Sequence, residues 1–246
     1  MIEVSIFLIA LASSFIGLLI PGVASALSVS TLILMGIPIQ LAKAIYQIGN
    51  LGINLWALLP LLRTQKLRWD LIIPLSFLAL VGWFLWGKIL VDISPEVLLK
   101  LTGWFMIVLL LVNILIPSLW LITSEVSKKR KFTGFFGYFV LNILYSVLPM
   151  GTGILFQFLH TFFFRVTNLQ ARLMGCFLTT PFVVWFIFPL IQSGVYDIRY
   201  MIIFSIGGYI GGFIGAKSGI KLGNTWLKKI LIGWLFLLGI YFLLFA

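Results

Sequence analysis

Eight stretches free of Asp, Glu, Lys and Arg divide this sequence, at residues 4–42, 44–62, 71–87, 101–124, 132–164, 173–196, 200–216 and 230–246. About 20 apolar residues cross the hydrocarbon core of a bilayer, so nearly the whole chain is expected at membrane depth. Only helices and closed barrels satisfy their backbone groups there. The stretches lack the period-2 alternation of barrel strands, so they predict helices. Composition points the same way, because a chain 62% hydrophobic and 9% charged has too little polar surface to cover a water-soluble fold.

A net charge of +11 would suggest nucleic acid as partner in a soluble protein. Here the Lys and Arg residues sit in short segments between apolar stretches, which is a topology signal, and no nucleic-acid partner is expected. The opening Met1-Ile2-Glu3 carries an acid where a secretory signal would carry a base, so the first apolar stretch reads as retained structure. The single cysteine, Cys176, excludes an intrachain disulfide and a multi-cysteine metal site. No metal or other cofactor is expected.

The stretches form two similar sets, of 39, 19, 17 and 24 residues and of 33, 24, 17 and 17, separated by Lys128-Lys129-Arg130-Lys131. Sliding one set onto the other by roughly 130 positions superposes Pro21 on Pro149, Ala42-Lys43 on Ala171-Arg172, Gly82 on Gly211, Lys88 on Lys217 and Gly103-Trp104 on Gly233-Trp234. The reading is a first membrane repeat at 1–124, a basic cytoplasmic linker at 125–131 and a second membrane repeat at 132–246. Duplication of this kind characterises secondary transporters.

Each set opens with a stretch too long for one crossing and broken near its middle, at Pro21-Gly22 and at Pro149-Met150-Gly151-Thr152-Gly153. The break is a kink in one long helix or the tip of a hairpin, and the basic residues choose between the two. Single crossings place eight basic residues on one side and nine on the other. Hairpins place thirteen (Arg63, Lys66, Arg68, Lys128, Lys129, Arg130, Lys131, Arg165, Arg172, Lys217, Lys221, Lys228, Lys229) against four (Lys43, Lys88, Lys100, Arg199). The positive-inside rule selects the hairpins, with both termini outside. Each half then makes an odd number of crossings, so the halves are inverted with respect to each other. The expected fold is an all-α integral membrane protein of two inverted-topology repeats, each a Pro/Gly-broken hairpin followed by three transmembrane helices.

These features together (the broken hairpins, the Ala-led helices at Ala42 and Ala171, the Asp197-Ile198-Arg199 loop and the glycine ladder Gly207, Gly211, Gly215) resemble the sulfite exporter TauE/SafE family of membrane permeases over nearly the whole chain. The resemblance implies a secondary transporter in the cell membrane, an exporter of sulfite, sulfoacetate or a related organic or sulfur-containing anion. Alternating access between the inverted repeats would move it. Two places depart from the family pattern: the first hairpin tip has Pro21-Gly22-Val23-Ala24-Ser25 in place of a glycine run, and Ile45-Tyr46 and Met174-Gly175 stand where Thr-Ser is common.

Polar residues at membrane depth mark a site or an interhelical contact. Ser25 and Ser28 follow the first break and Asn50 lies on the next helix; Gln157 and His160 follow the second break and Thr179 lies on the helix after it. The repeat offset pairs Ser28 with Gln157 and Asn50 with Thr179. These six residues are the expected anion contacts near the middle of the bilayer, and Pro21, Gly22, Pro149, Gly151 and Gly153 are the hairpin tips. Helix starts at the tips supply backbone N–H groups and a positive dipole end, so an anion needs no buried cation. Lys43 and Arg172 read as side chains that snorkel to the interface. Cys176 reads as a small hydrophobe. The alternative is an intramembrane enzyme or assembly factor, but no intramembrane Asp pair, His-Glu-x-x-His or Ser-His-Asp set can be assembled, and none of these residues is expected to be catalytic. The sequence is silent on oligomeric state.

Overall fold

The computed structural model describes residues 2–86, 125–147, 152–194 and 196–245, with four further helical positions at Trp104, Ile107, Leu111 and Leu115. The tip residues Pro149 and Gly151, and most of 101–124, lie outside the described residues. The described chain forms eight helices: α1 Ile2–Leu19, α2 Val23–Leu34, α3 Ile39–Leu62, α4 Trp69–Trp86, α5 Lys128–Val147, α6 Thr152–Phe164, α7 Asn168–Ser193 and α8 Ile198–Phe245. Gly223, at φ 74° and ψ 170°, divides α8 into two arms.

The first long stretch folds back on itself. Gly22 takes a left-handed conformation (φ 77°), which the absence of a Cβ permits, and α2 starts immediately after it. Ser28 of α2 donates a 2.7 Å hydrogen bond to Ser13 of α1. Gly17 faces Ala24 on the same pair. Both pairs are symmetric about residues 20 and 21, the geometry of an antiparallel hairpin. In the second half Gly137 faces Leu159 and Gly134 faces Phe163, so α5 and α6 form the matching hairpin.

Glycine sets the closest packing. A Cβ on Gly207 or Gly215 would stand 2.5 or 2.7 Å from the carbonyl oxygens of Phe7 and Phe15, and one on Gly211 would come closer still to that of Leu11. The partners advance four residues at a time in the same sense, so α1 and the first arm of α8 run parallel. On its other side that arm meets α3, where Gly208 and Gly212 lie against Ile53 and Gly52 lies against the carbonyl of Ser205. The interhelical packing also links the halves: α1 of the first half lies on α8 of the second, and α4 of the first on α5 of the second. Helices α3 and α7, equivalent under the repeat offset, pack antiparallel, joined by Asn54 to Thr179 at one level and by the Lys66 carbonyl to Gln170 near the end.

The basic segments gather at one end of the bundle. Asp70 bridges to Lys131 at 3.3 Å. Gln170 donates to the Lys66 carbonyl at 3.1 Å. Asn224 accepts from the Leu169 backbone N–H at 3.0 Å. These contacts tie the segments around 66–70, 131, 169–170 and 224 to one another. At the start of α1 and α8, Arg199 pairs with Glu3 at 2.7 Å. Lys128–Lys131 form the first turn of α5, where the Ser127 carbonyl accepts from the Lys131 N–H.

Apolar stripes face outward on the bundle. Ile73, Phe77 and Leu80 on α4, and Ile198, Ile202 and Ile206 on α8, are 45–66% exposed at helical spacing. Among the described residues three helices, Ile2–Leu19, Leu41–Leu62 and Ile198–Trp234, are long and apolar enough to cross a bilayer. Stripes of this kind are stable only against lipid, so the chain is an integral membrane protein.

Candidate functional site

The two chain breaks meet. A Cβ on Gly153 would stand 2.8 Å from the Gly22 nitrogen and 3.0 Å from its Cα, so the start of α6 abuts the start of α2 with no side chain between them. Neither helix has an acid in its first turn, so both present an unopposed positive dipole end. Beside this contact lies a cavity of about 180 Å³, lined by α1, α2, α3, α5, α6 and α7.

Five of the six expected anion contacts, Ser25, Asn50, Gln157, His160 and Thr179, line this one cavity, as do Pro21, Gly22 and Gly153 of the tips. Ser28 does not. It is fully buried against α1, where its hydroxyl is committed to Ser13, because the helical twist of α2 turns Ser25 and Ser28 to different neighbours. Thr179 accepts a 2.7 Å hydrogen bond from the Asn54 amide and donates to the Gly175 carbonyl at 2.8 Å. Ser25 donates to the Gly22 carbonyl at 3.0 Å, within the tip itself.

Arg172 departs from the sequence reading. It is 6% exposed and lines the cavity, whereas Lys43, its repeat equivalent, is exposed. Its guanidinium donates to the carbonyls of Gly17, Leu18 and Leu19, which are the free acceptors at the end of α1, and through Nε to Asn168 Oδ1 at 3.3 Å. The planar fork fits these acceptors, since its several N–H groups meet adjacent carbonyls at the negative end of a helix dipole. Asn168 Oδ1 also accepts from Gln157, so α6, α7 and the first tip are joined through one buried network. No Asp or Glu is among the described lining residues. The buried guanidinium is therefore held by carbonyl dipoles and not by a carboxylate.

The opposite wall is built on α5. Tyr138 stacks on His160 with ring centroids 5.7 Å apart, and the Asn142 amide N–H donates to the Tyr138 carbonyl at 2.7 Å. Asn142 Oδ1 and both ring nitrogens of His160 are buried without a hydrogen-bond partner. Unpaired polar atoms are costly in such surroundings, and the two residues that carry these three atoms both line the cavity. Cys176 also lines the cavity as a buried free thiol.

Sequence reasoning singled out neither Asn142 nor the buried role of Arg172. Asn142 lies seven residues before Pro149, on the helix that enters the second break, and a search for polar residues on both sides of a break would have found it. Among the described residues no three His, Cys, Asp or Glu side chains group as metal ligands.

The family model described as Sulfite exporter TauE/SafE matches residues 6–242 of the chain. No curated protein and no solved structure matches it.

Proposed function

The chain belongs to the sulfite exporter TauE/SafE family, so it is a membrane permease rather than an enzyme, and we propose that it exports a small sulfur-containing or organic oxyanion through the cavity beside the two chain breaks. The observation that carries this reading is the convergence of two helix starts and the buried Arg172 on one cavity without a carboxylate among its described lining residues. Positive dipole ends and a guanidinium favour an anion, and a volume near 180 Å³ suits a solute of a few heavy atoms. Ser25, Asn50, Gln157, His160 and Thr179 complete its lining.

The same reading takes residues 1–124 and 132–246 as inverted repeats working by alternating access. The antiparallel run of α3 and α7 and the exchange of partners between halves support it. The gathered basic segments support a cytoplasmic face there, with both termini on the far side of the cell membrane.

Anion affinity and flux in proteoliposomes test the site. Gln157→Leu and Asn50→Leu should weaken binding of the transported anion roughly ten- to a hundredfold, while Thr133→Val on the exposed face of α5 leaves it unchanged. Parent-like affinity in both cavity variants would show that these polar residues only join helices.

A further inference from the structure

The donors and acceptors around the cavity define more than a negative charge. Asn142 Oδ1 and the His160 ring are buried and unpartnered. The Asn142 amide is held by the bond to the Tyr138 carbonyl, so its oxygen, an acceptor, is the atom left over. A neutral imidazole offers one donor and one acceptor. The wall built on α5 and α6 therefore seeks a ligand that donates as well as accepts. The opposite wall carries one cation, Arg172, whose bonds to the end of α1 and to Asn168 leave one of its five N–H groups uncommitted.

Resting on the permease reading above, we infer that the species bound is a singly charged oxyanion that keeps one hydroxyl group, such as a hydrogen-oxyanion of sulfur. Its O–H donates to Asn142 Oδ1 or to the bare imidazole nitrogen, its ionised oxygens accept from the imidazole N–H and Arg172, and its single charge matches the single cation. A dianion leaves one charge uncompensated in a region of low dielectric. A monoanion without a hydroxyl leaves both acceptors unpaired, which weakens binding roughly tenfold or more. The other titratable side chains that face His160 across the cavity are Tyr138 of α5, Tyr46 of α3, and Arg172 and Cys176 of α7; α1 and α2 bring none to the lining.

Binding of sulfite, methanesulfonate and sulfate to the detergent-solubilised protein separates these terms. Hydrogensulfite has one charge and a hydroxyl, methanesulfonate has one charge and none, and sulfate has two charges and none. Apparent affinity for total sulfite should fall as pH rises and the hydrogensulfite form is depleted, staying constant when expressed per hydrogensulfite. Methanesulfonate and sulfate should each bind about tenfold or more weakly, and Asn142→Leu should narrow the gap between hydrogensulfite and methanesulfonate. Equal affinity for methanesulfonate and hydrogensulfite in the parent, or tighter sulfite binding at alkaline pH, overturns the inference and leaves the permease reading intact. Failure of every anion to bind overturns both.

Discussion

Gly153 and Gly22 stand backbone to backbone, so that a side chain on Gly153 would have to occupy the space of the Gly22 nitrogen, 2.8 Å away. The two residues lie 131 positions apart in sequence, and each belongs to a chain break in its own half. Their contact brings two separate sequence irregularities to one place in the bundle.

Gly153→Ala should therefore destabilise the protein by about 1–3 kcal/mol, because the opposing atoms are backbone and cannot rotate aside. Gly153→Val should abolish anion flux while the protein still inserts. Thermal unfolding in detergent and flux in proteoliposomes read the two effects. Normal flux in the valine variant would mean that the tips need not touch.

Arg172→Leu should weaken anion binding roughly ten- to a hundredfold and lower thermal stability, since it removes the cation and leaves the Gly17, Leu18 and Leu19 carbonyls unpaired. Arg172→Lys should restore the charge without the fork, recovering only part of either property. Full recovery in the lysine variant would reduce the role of Arg172 to its charge.

The ion pairs at the basic end give a pH expectation. Asp70 is hydrogen-bonded by Arg68 at 2.8 Å and paired with Lys131, which holds its carboxyl down at about 2. A carboxyl lowered in the folded state stabilises above its unfolded value of about 3.9 and loses that contribution as pH falls through its folded value. Asp70→Asn should thus alter stability by a constant amount at neutral and mildly acid pH, the difference vanishing only in strong acid. The side chain is 46% exposed, so the amount is below about 1 kcal/mol. Melting temperatures of parent and variant across pH test this, and a difference that changes near neutrality would refute it.

Single cysteines placed in a Cys176→Ala background should label from opposite sides of the membrane at residues 36–43 and 165–171. The register of α3 against α7 requires that outcome. Labelling of both from one side would end the inverted-repeat reading.

Much of this arrangement was legible because lipid leaves few choices. Pro21-Gly22 announced a hairpin because a long charge-free stretch with a helix breaker had to turn back. Ser25, Asn50, Gln157, His160 and Thr179 could be gathered from polarity alone, since a polar side chain at membrane depth has few places to go. The misreadings share a cause. Ser28 has the same polarity as Ser25, but its partner is Ser13, fifteen residues back, and only the hairpin register shows which neighbour each meets. Arg172 read as an interfacial residue because a basic side chain next to a loop usually reaches for water; here the compensating groups are backbone carbonyls about 150 residues away, and carbonyls leave no trace in residue identity. Asn142 was passed over because it precedes its break, while the polar residues sought were those that follow one.

The glycine seam between α1 and α8 bears on how such a bundle can move. Helices in backbone contact at three successive turns cannot slide or roll past one another without opening that seam, so they travel as one rigid body. One of them opens the first half of the sequence and the other lies in the second half. A rocking motion that preserves the seam therefore cannot swing the two halves of the sequence apart as separate blocks. Any body that carries the seam is drawn from both halves, α1 from the first and the first arm of α8 from the second.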